Sequence, residues 1–103
     1  MKGFNLFSRV FKAHGSNVLA CCDKELLGKT VQDGEISIEA RKGFYGSRKT
    51  SEKQLAGMLQ EADNINLLGT KAVGVALKQG LIKEGDIIRI GMVPHVQIYK
   101  LPV

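Results

Sequence analysis

Two spacings of apolar residues run along this chain. Over Glu35-Ile36-Ser37-Ile38-Glu39 the alternation is strict, and a period of two assigns Ile36 and Ile38 to a buried strand face and both glutamates to water. Asp33-Gly34 just before it predicts a turn. Further on, Leu55, Met58, Leu59 and Ala62 stand at i, i+3, i+4 and i+7, the stripe of an amphipathic helix. Ser51 with Gln54 three positions later supplies a capping box for its start. Ile65 to Leu68 reads as a short strand. Gly69-Thr70 then turns into a second helix that points Ala72, Val73, Ala76 and Leu77 inward and stops at Gly80. Gly74 within it costs about 1 kcal/mol of helix propensity relative to Ala, which a close backbone approach would justify.

Hairpins are predicted at both ends. Residues 4–13 are rich in Phe and Val, His14-Gly15-Ser16-Asn17 is a turn, and Val18 to Cys22 is a second apolar run. Asp23 follows as an N-cap for a short helical turn from Lys24 to Gly28. Arg41 to Thr50 has no period and contains Gly43 and Gly46, so it reads as a loop. Near the end, Glu84-Gly85-Asp86 leads into Ile87–Ile90, Gly91-Met92 is a hairpin turn, and Val93–Leu101 is the last strand. The expected fold is α+β: a single domain over residues 1–103, with a mixed sheet of about five to six strands and two main helices packed on it. The 103-residue length suits one domain, and a hydrophobic share of 44% excludes disorder over most of the chain.

Charge adds an address. The formal net charge is +5, and residues 41–53 hold +4 of it through Arg41, Lys42, Arg48, Lys49 and Lys53 against Glu52. Phe44 and Tyr45 lie among those bases. Bases interleaved with aromatics in a loop can hold phosphates and stack on unpaired bases, and a solvated loop with Phe44 anchored in the core accounts for the same pattern. Neither a signal peptide's unbroken apolar stretch nor a membrane span's run of about 20 apolar residues is present. With only two cysteines, adjacent to each other, the expected location is cytoplasmic.

Other motifs carry less. Gly28-Lys29-Thr30 has the tail of a phosphate-binding loop, but Asp23 stands where its first Gly belongs. Cys21 and Cys22 are adjacent and point to opposite faces of a strand, so with His14 and His95 they supply at most three ligands. No metal or cofactor is expected, and one cysteine should sit in the core with the other near the surface. On the last strand His95, Gln97 and Tyr99 face opposite to Val96 and Ile98, giving a row of directional hydrogen-bonding groups. Pro94 places the start of that strand there or puts the strand at a sheet edge. Cys22, Asp23, His95 and Gln97 form a candidate pocket if the fold gathers them. Gly69, Thr70 and Lys71 open a helix after a strand, a geometry that binds anions.

Several segments together resemble an uncharacterised archaeal family, domain of unknown function number 424. They are Leu19-Ala20-Cys21-Cys22-Asp23, Leu26-Leu27-Gly28-Lys29, Phe44-Tyr45-Gly46, Glu61-Ala62-Asp63-Asn64, Leu68-Gly69 and Val93-Pro94-His95-Val96-Gln97. The resemblance implies a small archaeal cytoplasmic protein and supplies no activity. Three functional readings follow from the residues. The first is a non-enzymatic RNA- or ribonucleoprotein-binding module using residues 41–53. The second is a small-ligand binder or enzyme built on Cys22, Asp23, His95 and Gln97. The third is an adaptor, or a homodimer, that pairs through the last strand as a sheet edge.

Overall fold

The computed structural model describes residues 3–46 and 48–101. In chain order the strands are β1 (Leu6–Ala13), β2 (Ser16–Asp23), β3 (Thr30–Asp33), β4 (Ile36–Glu39), β5 (Arg48–Thr50), β6 (Asn64–Leu68), β7 (Ile88–Ile90) and β8 (Val93–Tyr99). The helices are α1 (Lys42–Tyr45), α2 (Glu52–Glu61) and α3 (Thr70–Lys78), with 3-10 turns at Lys24–Leu26 and Glu84–Asp86. Six strands form one mixed sheet in the order β5-β1-β2-β6-β8-β7, and β3 with β4 forms a separate two-stranded arm. Only β2 and β6 run parallel; every other neighbouring pair is antiparallel. The α+β domain with a mixed sheet and two main helices is therefore as the pattern predicts.

The sheet is covered on both faces. On one, α2 and α3 pack over Leu6, Leu19, Cys21, Ile65, Leu67 and Val96. On the other, Ala20, Cys22 and Leu68 lie beneath Leu26, Leu27, Ile38, Ala40, Phe44 and Tyr45. Strands buried on both sides read as continuous apolar runs, which is why Val18–Cys22 does not alternate. It is also why both cysteines are fully buried, and the expected surface cysteine does not exist.

Local chemistry sets the element ends. His14 and Gly15 both have positive φ, 54° and 81°, the requirement of the two-residue type I′ turn. The first turn is thus shorter than the four residues expected, and Ser16 and Asn17 already pair with Ala13 and Lys12. At α2 both halves of the capping box form, with Gln54 N donating to Ser51 Oγ at 3.0 Å and Ser51 N donating to Gln54 Oε1 at 2.9 Å. Leu55 and Leu59 are its buried residues. On α3, Val75 is buried besides the expected Ala72, Val73 and Ala76, while Leu77 is only partly so. Gly80, at φ 73°, follows the C-cap Gln79.

Several expectations need correcting. Ile36 is 53% exposed, because β4 belongs to the arm and only Ile38 reaches down to the sheet. β3 and β5 lie in stretches too short and too polar to show a period, and the supposed loop 41–50 contains α1 as well as β5. A Cβ at Gly74 would meet nothing within 4 Å, so no close backbone approach accounts for it and nothing in the structure explains the glycine. β8 lies between β6 and β7, and the sheet edges are β5 and β7. Pro94 tolerates this interior position because its carbonyl accepts from Gly69 N, just past the last β6–β8 pair, Leu68–His95. Its missing N–H therefore falls where that ladder ends. β8 is therefore not the sheet edge expected: β6 pairs with His95–Tyr99 on one side and β7 with Val93–His95 on the other, and among the described residues only Val96–Tyr99 lack a strand on the β7 side.

Asp23 ties the two halves of the chain together. It is positioned as N-cap of the Lys24–Leu26 turn but its side chain makes no bond there. Its carboxylate instead accepts from Lys71 N at 3.0 Å and Ala72 N at 2.9 Å, two of the free amides at the start of α3. Gly69 makes room: its φ is 114°, and a Cβ there would lie 2.3 Å from Asp23 Cγ. Gly69→Ala is expected to destabilise the fold by about 3 kcal/mol through clash and strain, and Asp23→Ala by about 2 kcal/mol through loss of the cap. Urea midpoints of the purified variants measure both; values within about 0.5 kcal/mol of the parent would refute this role for Asp23.

Candidate functional site

The arm is rooted and latched. At its base Gly28 N donates to Ala40 O and Ala40 N to Lys29 O, and at its tip Gly91 N donates to Asp33 Oδ2 at 3.0 Å. Held there, it stands over the sheet face opposite the two long helices and leaves a cavity of about 380 Å³, open to solvent along its arm side. From the arm and α1 come Ser37, Ile38, Glu39, Arg41, Phe44 and Tyr45, and from the sheet Asn66, His95 and Gln97. That volume is at the lower end of small-molecule sites, about 300–1,000 Å³.

The sheet residues reach the cavity through register. Asn66 on β6 stands opposite Gln97 on β8, and Leu68 opposite His95, so the side chains of these four share one face. His95 is 9% exposed, and its Nδ1 lies 2.9 Å from Leu67 O. A carbonyl only accepts, so Nδ1 carries the proton and donates; in the neutral ring Nε2 is then an acceptor with its lone pair free. Tyr45 donates its hydroxyl to Asn66 Oδ1 at 2.5 Å. Asn66 thereby has its carbonyl oxygen engaged and its amide NH2 left as a donor. Burial pushes the Tyr45 hydroxyl pKa up, with the neighbouring Cys22 and Cys21 adding to the shift, so that hydroxyl stays protonated and donating. At the mouth the exposed Arg41 and Glu39 side chains lie 3.4 Å apart.

Of the residues singled out in the sequence, His95, Gln97, Arg41, Phe44 and Tyr45 line this one cavity. Cys22 does not join them. It stands in one row with Leu68 and His95, so two strand spacings place it about 10 Å from His95 with Leu68 between. Burial pushes its thiol up to about 12, and Asp23 and Glu25 push the same way; Cys21, on the helix side, is raised further by burial. Neither is a poised nucleophile. Asp23 points to the helix face, where burial raises its carboxyl and the two amide bonds oppose that shift. Of the three residues expected to offer an anion their amides, Lys71 donates its N–H to this carboxylate, as Ala72 does, and Gly69 donates to Pro94 O. The Lys71 side chain reaches Glu25 at 3.4 Å. A carboxylate of the chain's own thus sits at this helix start, where an external anion was expected.

The basic stretch divides between faces. Lys49 pairs with Phe7 on the arm side, whereas Arg48 pairs with Ser8 and so faces α2, the helix that carries Lys53. Arg41 and Lys42 flank the start of α1. Tyr45 is only 3% exposed and packs edge-to-face on Phe44, which packs edge-to-face on Phe11, with centroids 4.9 and 5.8 Å apart. Both aromatic rings are thus largely committed to the second core. Arg9, not singled out in the sequence, lies 4.5 Å over the Phe11 ring and donates to Gly43 O at 2.7 Å, bracing α1. Asn66 was also missed, although a polar residue between Ile65 and Leu67 is the signal that marks a second working face. Among the described residues no three of His, Cys, Asp and Glu are grouped to hold a metal ion, and no helix is long and apolar enough to cross a membrane.

This geometry belongs to a known but functionally undefined group. The chain belongs to the family described as "Protein of unknown function (DUF424)", whose model matches residues 11–101. It is similar to a crystal structure described as that of an uncharacterized conserved protein from Methanopyrus kandleri, at 30% sequence identity and a TM-score of 0.78. The likeness covers 95% of this chain and 93% of that one. No curated protein matches, and neither description names an activity.

The thiols give a direct check on the placement of the cysteines. With Cys22 near 12 and both side chains buried, reaction with Ellman's reagent at pH 8 should run about a thousandfold slower than for a free cysteine. Both should react at once in guanidinium. Fast native labelling would contradict the buried placement.

Proposed function

We propose that this protein is a non-enzymatic binding module for RNA, alone or in a ribonucleoprotein, and that the arm cavity and its rim are the binding surface. The observation that carries the reading is the convergence of Arg41, Asn66, His95 and Gln97 on one cavity of about 380 Å³. Lys42 and Lys49 stand on the same side, and neither has an acidic partner within salt-bridge distance among the described residues. Aromatic stacking, the other half of the original expectation, plays little part because Phe44 and Tyr45 are packed inward. Lys49 stands four strand spacings, about 19 Å, from His95, so a pocket of hydrogen-bonding groups with cations farther along the same face suits a single-stranded polyanion several nucleotides long, one unpaired residue of which turns into the protein. Arg48 and Lys53 lie towards α2 and contribute little in this reading.

A free small ligand in the same cavity is the second reading, favoured by the depth of His95 and by the arm that stands over it. Catalysis through Cys22 and His95 is not part of either reading, since Leu68 separates them.

Filter retention of total cellular RNA over a salt series tests the first reading. About three phosphate contacts predict a log–log slope near −2. The paired variant Lys42→Glu with Lys49→Glu should abolish retention, while Arg48→Glu with Lys53→Glu should leave most of it. No retention at low salt, or equal loss with both pairs, would sink the proposal.

A further inference from the structure

The cavity floor carries a donor and acceptor pattern that selects among ligands. Asn66 has its oxygen occupied by Tyr45 and presents an NH2 group. His95, nine-tenths buried, has Nδ1 tied to Leu67 O and presents Nε2 as an acceptor in its neutral form. Gln97, opposite Asn66 across the β6–β8 ladder, adds an amide that offers both a donor and an acceptor. Ile38 and the Phe44–Tyr45 pair give the cavity apolar walls. Asn66 and His95 are diagonal neighbours across the ladder, so a ligand matched to this floor is flat and offers an acceptor to Asn66 and an amino group to His95. At the mouth, the Arg41–Glu39 pair is exposed and contributes little to the fold, so it opens readily. Arg41 can then take an anionic group, and Glu39 can accept from a sugar hydroxyl.

We infer that the cavity binds one ribonucleotide whose base carries, on the edge remote from the sugar, an amino group next to an unprotonated ring nitrogen, adenine or cytosine, with its phosphate at Arg41. The inference rests on the cavity being the binding site, and it adds a selectivity that the RNA reading does not require. Keto bases put an oxygen where His95 has a lone pair. They would leave two acceptors facing each other, and a mismatch of that kind costs about tenfold or more in affinity. The same chemistry serves a free mononucleotide and an unpaired residue in an RNA strand.

Calorimetric titration at pH 8 with AMP, CMP, UMP and GMP, and with single-stranded oligo(A) and oligo(U), tests the inference and separates the two sources. AMP and CMP are expected to bind at least about tenfold more tightly than UMP and GMP, with oligo(A) above oligo(U). Asn66→Asp keeps an acceptor for Tyr45 and replaces the amide donor with an acceptor, so it should lose at least about tenfold for AMP. Gln97→Ala, at an exposed position, should lose less and guards against a folding defect in the first variant. Equal binding of all four mononucleotides, or none, with retained oligonucleotide binding overturns the inference and leaves the RNA reading standing. Selective mononucleotide binding without oligonucleotide binding supports the inference and removes the RNA reading. Absence of both removes both.

Discussion

The carboxylate of Asp23 holds the start of α3. It sits at the end of β2, 49 residues before Ala72, one of the two amides it accepts from, so one interaction closes the loop that contains the arm, α1, β5 and α2. Two further features exist to permit it. Gly69 must lack a side chain, because a Cβ would fall on the carboxyl group. Pro94 must present its carbonyl to Gly69 N, which fixes where β8 begins. Once β2, α3 and β8 are locked in this way, β6 has one register available between its neighbours. That register decides which side chains face the arm. The composition of the cavity floor is therefore a consequence of a cap on the far side of the sheet.

The second constraint is that both sheet faces are covered, and by different means. Two long helices bury one face with a conventional apolar stripe. The other is covered by a single helical turn, a two-stranded arm and the Leu26-Leu27 pair. Such a patchwork cannot fill its side to the same density, and the space it leaves is the cavity. Tyr45 joins the two layers: its ring belongs to the second core while its hydroxyl holds Asn66. Arg9 braces α1 from the strand below through Gly43 O. The floor is thus built largely from groups whose first task is structural, and on Asn66 and His95 only the atoms left over after packing, the NH2 and Nε2, are available to a ligand.

Much of this architecture is legible in the sequence because it is local. The stripe of Leu55, Met58, Leu59 and Ala62 and the Ser51–Gln54 box need no partner elsewhere to declare a helix. Likewise, the alternation of His95, Gln97 and Tyr99 against Val96 and Ile98 states which residues share a face. What fails is long-range. Asp23 next to a short helical turn is read as its cap, since no sequence pattern announces an acceptor role 48 residues ahead. The Gly69-Thr70-Lys71 amides read as an open anion site for the same reason. Five bases within thirteen residues look like one patch, yet β5 alternates and sends Arg48 to the side opposite Lys49. Ile36 and Ile38 alternate correctly but belong to an arm, where one buried face requires only one of them. The burial of both cysteines follows from the roof over the second face, which is not encoded near Cys22.

The arm also separates two kinds of change that usually interfere. It meets the rest of the domain at a root beside Gly28 and Ala40 and at a tip latch between Asp33 and Gly91, and the helix-side core contains none of its residues. Substitutions at Ser37, Ile38 or Glu39 alter what the cavity presents without touching the side chains that stabilise α2, α3 and the parallel β2–β6 pair. The domain thereby has a part that can drift in sequence while the scaffold stays fixed. Homologous chains with the same sheet can carry arms of different chemistry and so accept different ligands on an unchanged frame.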